Sequence, residues 1–254
     1  MRKSIITVMG VFLMLSFTFQ GLSQQKKMTW TTKSKQANEL ALSGAHHMMN
    51  VELEQAYADF SAALKLDPNF TQPLVFMANI NRGATAKSYA ERAQKSAVNK
   101  TAGEKLFASL TGEKTTADER RDIWAKLHAM FPDGEMLGFY YVQTRATPEE
   151  RFAAAEDFAK QFPNNAPIHN VIGYLYMLDK KDTDKAKENL EKYIALYPEG
   201  TNPYDSMGEY YLNTGDTDNA KKYYTMALEK YPLNNSSLNA LQKMADDKKT
   251  SDSK

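Results

Sequence analysis

The chain has 254 residues, with 32 lysines and arginines against 31 aspartates and glutamates, and no cysteine. Without cysteine it can hold no disulfide, no thiolate metal site, no cysteine nucleophile and no lipid-modified amino-terminal cysteine. Lysines and acids alternate rather than cluster, which argues against the concentrated basic face of a nucleic-acid binder.

Arg2 and Lys3 precede an apolar run from Ile5 to Phe19, followed by Gly21, Leu22 and Ser23. That order predicts a secretory signal peptide over residues 1–23, cleaved after Ser23. The run is shorter than the ~20 residues a helix needs to cross the hydrocarbon, which disfavours a retained anchor. The mature chain is therefore expected to be exported, periplasmic or extracellular, with no stable membrane span. Residues 24–36 are mostly polar and read as a linker.

From residue 37 a pattern of small and large side chains begins to recur. Residues 37–70 carry Leu40, Gly44, Ala56, Phe60, Ala63 and Pro68. Residues 71–99 keep Leu74, Ala78, Ala90 and Ala97, but Gln94 stands where a large apolar residue belongs. Residues 100–132 match least: Trp124, Leu127 and Pro132 fit, while Arg120 replaces a small residue. Residues 133–163 give Leu137, Gly138, Tyr141, Ala155, Phe158 and Pro163, with a shortened first helix. Residues 164–199 give Gly173, Tyr176, Ala186, Leu190, Tyr193 and Pro198, with one extra residue placed in the Lys180–Lys181 turn. Residues 201–234 are the clearest unit, with Tyr204, Met207, Gly208 and Tyr211 on one helical stripe and Ala220, Tyr224 and Ala227 on a second before Pro232. A capping helix over 235–244 and a disordered charged tail over 245–254 complete the expected order.

Positions 4, 7, 8, 11, 20, 24, 27 and 32 of a 34-residue unit are thus occupied as in the tetratricopeptide repeat (TPR), which the chain resembles over 37–234. The resemblance implies an all-α right-handed superhelix of about six helix-turn-helix units. The small residues let paired helices approach closely, and neighbouring hairpins bury the face that one hairpin alone would expose. Punctuation agrees with that register. Thr101, Thr116 and Thr147 each precede a glutamate by three residues, predicting capping boxes. Pro148 and Pro203 suit first helical positions behind Thr147 and Asn202 as caps. Asp182 and Asp216 suit the starts of second helices. No run alternates with the period of two that a strand needs.

Catalytic signatures are absent: there is no Gly-x-Ser-x-Gly, no His-Glu-x-x-His and no phosphate-binding glycine loop. Ser251 and Lys254 have Ser-x-x-Lys spacing but fall in the tail. His46 and His47 are adjacent, so on a helix their rings diverge, and they better complement a helix carboxyl end. Asp179, Asp182 and Asp184 lack the glycine and glutamate of a calcium loop. We therefore expect no enzyme, metal or cofactor.

In the resembled family the first helices line a concave groove. Carried onto this chain, the resemblance implies partner-binding residues Phe139, Val142, Asn170, Tyr174, Met177, Asn202, Asp205, Glu209 and Asn213. The expected function is a protein–protein interaction scaffold holding a peptide or protein segment there, as an accessory part of an envelope or secreted assembly. Asp205 and Glu209 would repel a terminal carboxylate, which argues against the tail binding of chaperone-associated repeats. The alternative expectation is a small-ligand or glycan receptor using the same groove.

Overall fold

A computed structural model describes residues 27–252; the expected signal peptide lies outside the described residues. Those residues form thirteen α-helices and no strand. Twelve pair into six hairpins: α1 (Lys35–Met49) with α2 (Leu53–Leu66), α3 (Thr71–Ile80) with α4 (Gly83–Ala97), α5 (Ala102–Ala108) with α6 (Ala117–Met130), α7 (Glu135–Gln143) with α8 (Pro148–Gln161), α9 (Ala166–Tyr174) with α10 (Thr183–Leu196), and α11 (Asn202–Asn213) with α12 (Thr217–Lys230). Helix α13 (Asn235–Asp252) follows.

The hairpins close where side chains are missing. A Cβ on Gly44 would lie 2.6 Å from Phe60 Cε1, and one on Gly208 2.7 Å from Tyr224 Cδ1. Each glycine admits an aromatic ring from the second helix of its own hairpin, so the repeat's small position exists for its large one. Pro68, Pro132, Pro163, Pro198 and Pro232 each stand two residues past the end of a second helix. There a missing N–H blocks continuation.

Capping follows the sequence with two corrections. Thr101–Glu104 and Thr116–Glu119 form complete capping boxes. Thr147 accepts from Glu150 N, but the Glu150 carboxylate turns to Ala146 N (3.0 Å), so that box is half formed. Asn202 is not a cap: α11 begins at Asn202 behind Thr201, and the Asn202 amide is used elsewhere.

The extra residue of the fifth unit is not confined to the Lys180–Lys181 turn. It is absorbed in a π-helical segment, Leu175–Lys180, that ends at Lys181 in the left-handed region (φ 56°), with Asp182 N donating to Tyr176 O at 3.0 Å. Widening a helix by one residue in this way preserves the packing on either side of the insertion. At the carboxyl end, α13 runs on to Asp252 rather than stopping near Met244. No glycine or proline interrupts residues 245–252, and Gln242 Nε2 donates to both Asp246 oxygens one turn later.

The segment read as a linker is docked instead. Trp30 meets the Phe107 ring edge-on at 5.0 Å. Thr31 N and Oγ1 donate to the Glu104 carboxylate at 2.9 and 2.7 Å, and Thr32 Oγ1 donates to Asp67 at 2.7 Å. Glu104 is wholly buried yet well partnered, since Thr101 also donates to it and Lys100 lies 3.8 Å away. Hydrogen bonds to a charged group stabilise more than neutral ones, so Glu104→Ala should cost about 2 kcal/mol by urea denaturation. Glu104→Gln, which keeps one acceptor, should lose less.

Candidate binding face

The expected groove residues separate into two groups, apart from Asn202, which is half-buried with its amide on the Tyr193 hydroxyl. Phe139 and Val142 on α7 are 2% and 1% exposed, packed with Phe158, Ile168, Ile172 and Leu175. Met177 is also buried, against Leu190, Met207 and Tyr210. Asp205 is buried and accepts from Ser236 Oγ (3.0 Å) and Ser237 Oγ (2.5 Å), anchoring the start of α13. Burial raises its carboxyl above the ordinary range, while the two serines oppose that shift. The expectation that these four residues lie open to a partner is thus corrected. An apolar or charged residue at an inner register position is covered whenever another part of the chain reaches it.

The second group is accessible. Tyr174 is half-buried, and its hydroxyl donates to Glu209 Oε2 at 2.5 Å, joining α9 to α11. Burial, then the Glu209 charge, pushes the phenol well above its usual value, so Tyr174 stays a donor. Asn213 is exposed, with Nδ2 on Glu209 O. Asn170, one turn before Tyr174, is half-buried, and its Oδ1 is enclosed without a hydrogen-bond partner. A buried acceptor without a donor costs free energy until one is supplied.

Phe139 and Val142 are covered in part by the opening hairpin of the chain. Met49, the last residue of α1, belongs to the same apolar cluster as Phe139 and Val142. The α1–α2 turn then reaches the carboxyl end of α10. Asn50 and Glu52 are buried, at 0% and 5% exposure. Tyr193 Oη donates to Asn50 Oδ1 and Tyr197 Oη to Glu52 Oε2, both at 2.8 Å. Thr201 N donates to Glu52 Oε1 at 2.8 Å, and Asn202 Nδ2 donates to Tyr193 Oη at 3.2 Å. The His46 ring stands edge-on to Tyr197 at 5.1 Å. These contacts join residues up to 149 positions apart, so no local pattern announces them. The one trace in the sequence is Tyr193, bulky where the repeat uses a small residue.

An inner cavity of about 400 Å³ remains beside this closure, lined by Met28, Trp30, Leu42, Met49, Gln72 and Phe162 among others. No group of three or more histidines and carboxylates able to hold a metal occurs among the described residues. No described helix is long and apolar enough to cross a membrane.

Three histidines in the packed helices set a pH limit: His46 on α1, lowered by burial and by His47, together with His128 and His169. His169 is buried, and His128 stacks on Tyr141 at 4.7 Å. Burial lowers both from 6.5; Arg145 lowers His128 further, and for His169 the Asn189 hydrogen bond opposes the shift. A histidine with a lowered folded value binds fewer protons folded than unfolded. Its contribution is therefore present above 6.5 and is lost as pH falls through the lowered value. The melting temperature should drop as pH falls below 6.5, and His169→Gln should flatten that slope.

Comparison with known proteins bears on the fold. Residues 166–199 and 206–234, in the fifth and sixth hairpins, each match a family model described as tetratricopeptide repeat. No curated protein matches the sequence. Among solved structures the chain is similar to PilW, a "widely conserved type IV pilus biogenesis factor" (15% identity, 82% of this chain and 99% of that one, TM-score 0.48). It is also similar to a chain of the "APC/C hetero-tetramer Cut9-Hcn1" (14% identity, 82% of this chain, 42% of that one, TM-score 0.50). A third is "a thermophilic TPR protein" of Thermus thermophilus (19% identity, 80% of this chain and 96% of that one, TM-score 0.38). At these identities the likeness concerns fold alone.

Proposed function

We propose that this chain, which carries tetratricopeptide repeats, is a non-enzymatic scaffold that binds a segment of another protein on the inner face formed by α9 and α11. Such repeats generally serve protein–protein interaction. The observation that carries the reading here is the Tyr174–Glu209 pair across α9 and α11, with half-buried Asn170 one turn before it and exposed Asn213 one turn after Glu209. A backbone N–H of an extended or helical partner donates to the Glu209 carboxylate, while Asn170 and Asn213 offer polar contacts at the rim. The leader-like residues 1–23 support an exported setting, periplasmic or extracellular, in an envelope or secreted assembly.

The test is a capture experiment from envelope extract with the chain from residue 24 as bait. Wild type should retain a defined protein partner. Asn170→Ala with Glu209→Ala should weaken capture by about tenfold or more, from the loss of one or two polar contacts, while the far-UV spectrum stays helical. Undiminished capture by that pair of substitutions contradicts the assignment of this face.

A further inference from the structure

The closure of the first hairpin has the form of a ligand in a site. Four consecutive residues, Met49 to Glu52, present an apolar side chain, an amide, an exposed residue and a carboxylate. Each of the three buried ones has its own receptor. Met49 enters the apolar cluster of α7 and α9. Asn50 meets the Tyr193 hydroxyl, which the Asn202 amide holds in place. Glu52 is gripped by the Tyr197 hydroxyl and the Thr201 N–H, with His47 Nε2 3.9 Å away. A buried carboxylate with two directed donors is a recognition element, because an apolar group in its place leaves both donors unpaired.

Val51 supplies a second, independent observation. It sits at the tip of the turn, 59% exposed, with φ of 61°. A β-branched residue in the left-handed region is strained, and such strain persists only where the surroundings hold it. The turn is therefore kept in place against its own backbone preference, and its release recovers that strain.

We propose that Tyr193, Tyr197, Thr201 and the neighbouring apolar cluster form a recognition site for a partner segment of the order apolar, amide, any residue, carboxylate. In this structure the chain's own Met49–Glu52 turn occupies it. A partner segment of the same chemistry displaces the turn, frees α1 from α7 and uncovers Phe139 and Val142. This inference rests on the reading of the chain as a binder of protein segments. It is tested separately, because Asn170 and Glu209 take no part in these contacts.

The probe is a synthetic peptide of residues 46–55, titrated by fluorescence anisotropy into three forms of the chain from residue 24. Asn50→Ala with Glu52→Ala empties the site, and the peptide should bind this form at least about tenfold more tightly than wild type, whose own turn competes. Val51→Gly keeps the contacts while removing the strain, so it should bind the peptide about threefold more weakly than wild type. A peptide with alanine in place of Glu52 should lose about tenfold or more on every form. The proposal is overturned if the two peptides bind alike, or if wild type and Val51→Gly are indistinguishable. It is also overturned if wild type runs as a stable dimer that exchanges its first hairpins and excludes the peptide, which would make a second copy the occupant. Should the double variant fail to fold, the Val51→Gly comparison decides alone.

Discussion

Tyr193→Ala should cost about 3–5 kcal/mol in urea denaturation, more than any other single truncation in the fifth hairpin. Tyr193 is wholly buried, so truncation leaves a ring-sized cavity in α10. It also takes the donor from Asn50 Oδ1 and the acceptor from the Asn202 amide. The two losses are separable. Tyr193→Phe keeps the ring and removes only the hydroxyl, for an expected cost of about 1–3 kcal/mol. If Tyr193→Phe were neutral, the hydroxyl contacts that tie the first hairpin to the fifth would have no energetic meaning.

Gly208→Leu should cost about 3 kcal/mol or more, because the added side chain must enter space that Tyr224 already fills. The more discriminating substitution is Gly208→Ala. On an exposed helix it would stabilise by up to about 1 kcal/mol through helix propensity. Here the new Cβ lies 2.7 Å from Tyr224 Cδ1, with further ring atoms at 2.8 and 2.9 Å, and Tyr224 is 3% exposed and unable to swing away. Overpacking should therefore outweigh propensity and give a net loss. A rise in melting temperature for Gly208→Ala would show that the hairpin has slack at the position where the repeat demands closeness.

Gly208 and Tyr193 also mark how far the sequence could be read. Gly208 belongs to a periodic code: a small residue at position 8, a ring at position 24, a proline at position 32. Each is a consequence of one hairpin, written within a window of 34 residues, so helix pairing and the number of units were visible in the residues themselves. The degenerate third hairpin followed the same logic. Arg120 sits where a small residue belongs, and its guanidinium reaches out to Leu110 O (3.2 Å) rather than filling the interface.

The binding face was less legible, for reasons that differ by residue. Asn213 is exposed and Tyr174, Glu209 and Asn170 are half-buried, so this stretch of α9 and α11 keeps part of its surface open, although the Asn170 Oδ1 itself is enclosed. Phe139 and Val142 were expected in an open groove, but Met49 fills the space beside them, and that contact spans about ninety positions with no periodic signature. Asp205 was hidden by two serines of α13, a helix whose own start was expected but whose contact was not. Residues 24–36 looked like a linker since their composition is mostly polar, yet within them Thr31 finds a fully buried carboxylate on α5. Polarity marks a segment as solvated only when no buried partner is waiting for it.

The most direct test of the closure is amide hydrogen exchange at Thr201. This N–H lies before the first turn of α11, where an amide has no helical acceptor, and its partner is Glu52 Oε1 at 2.8 Å. In wild type the Thr201 amide should be strongly protected, and Glu52→Ala should abolish that protection while the interior of α11 exchanges as before. Rapid exchange at Thr201 in the intact protein would contradict the closure.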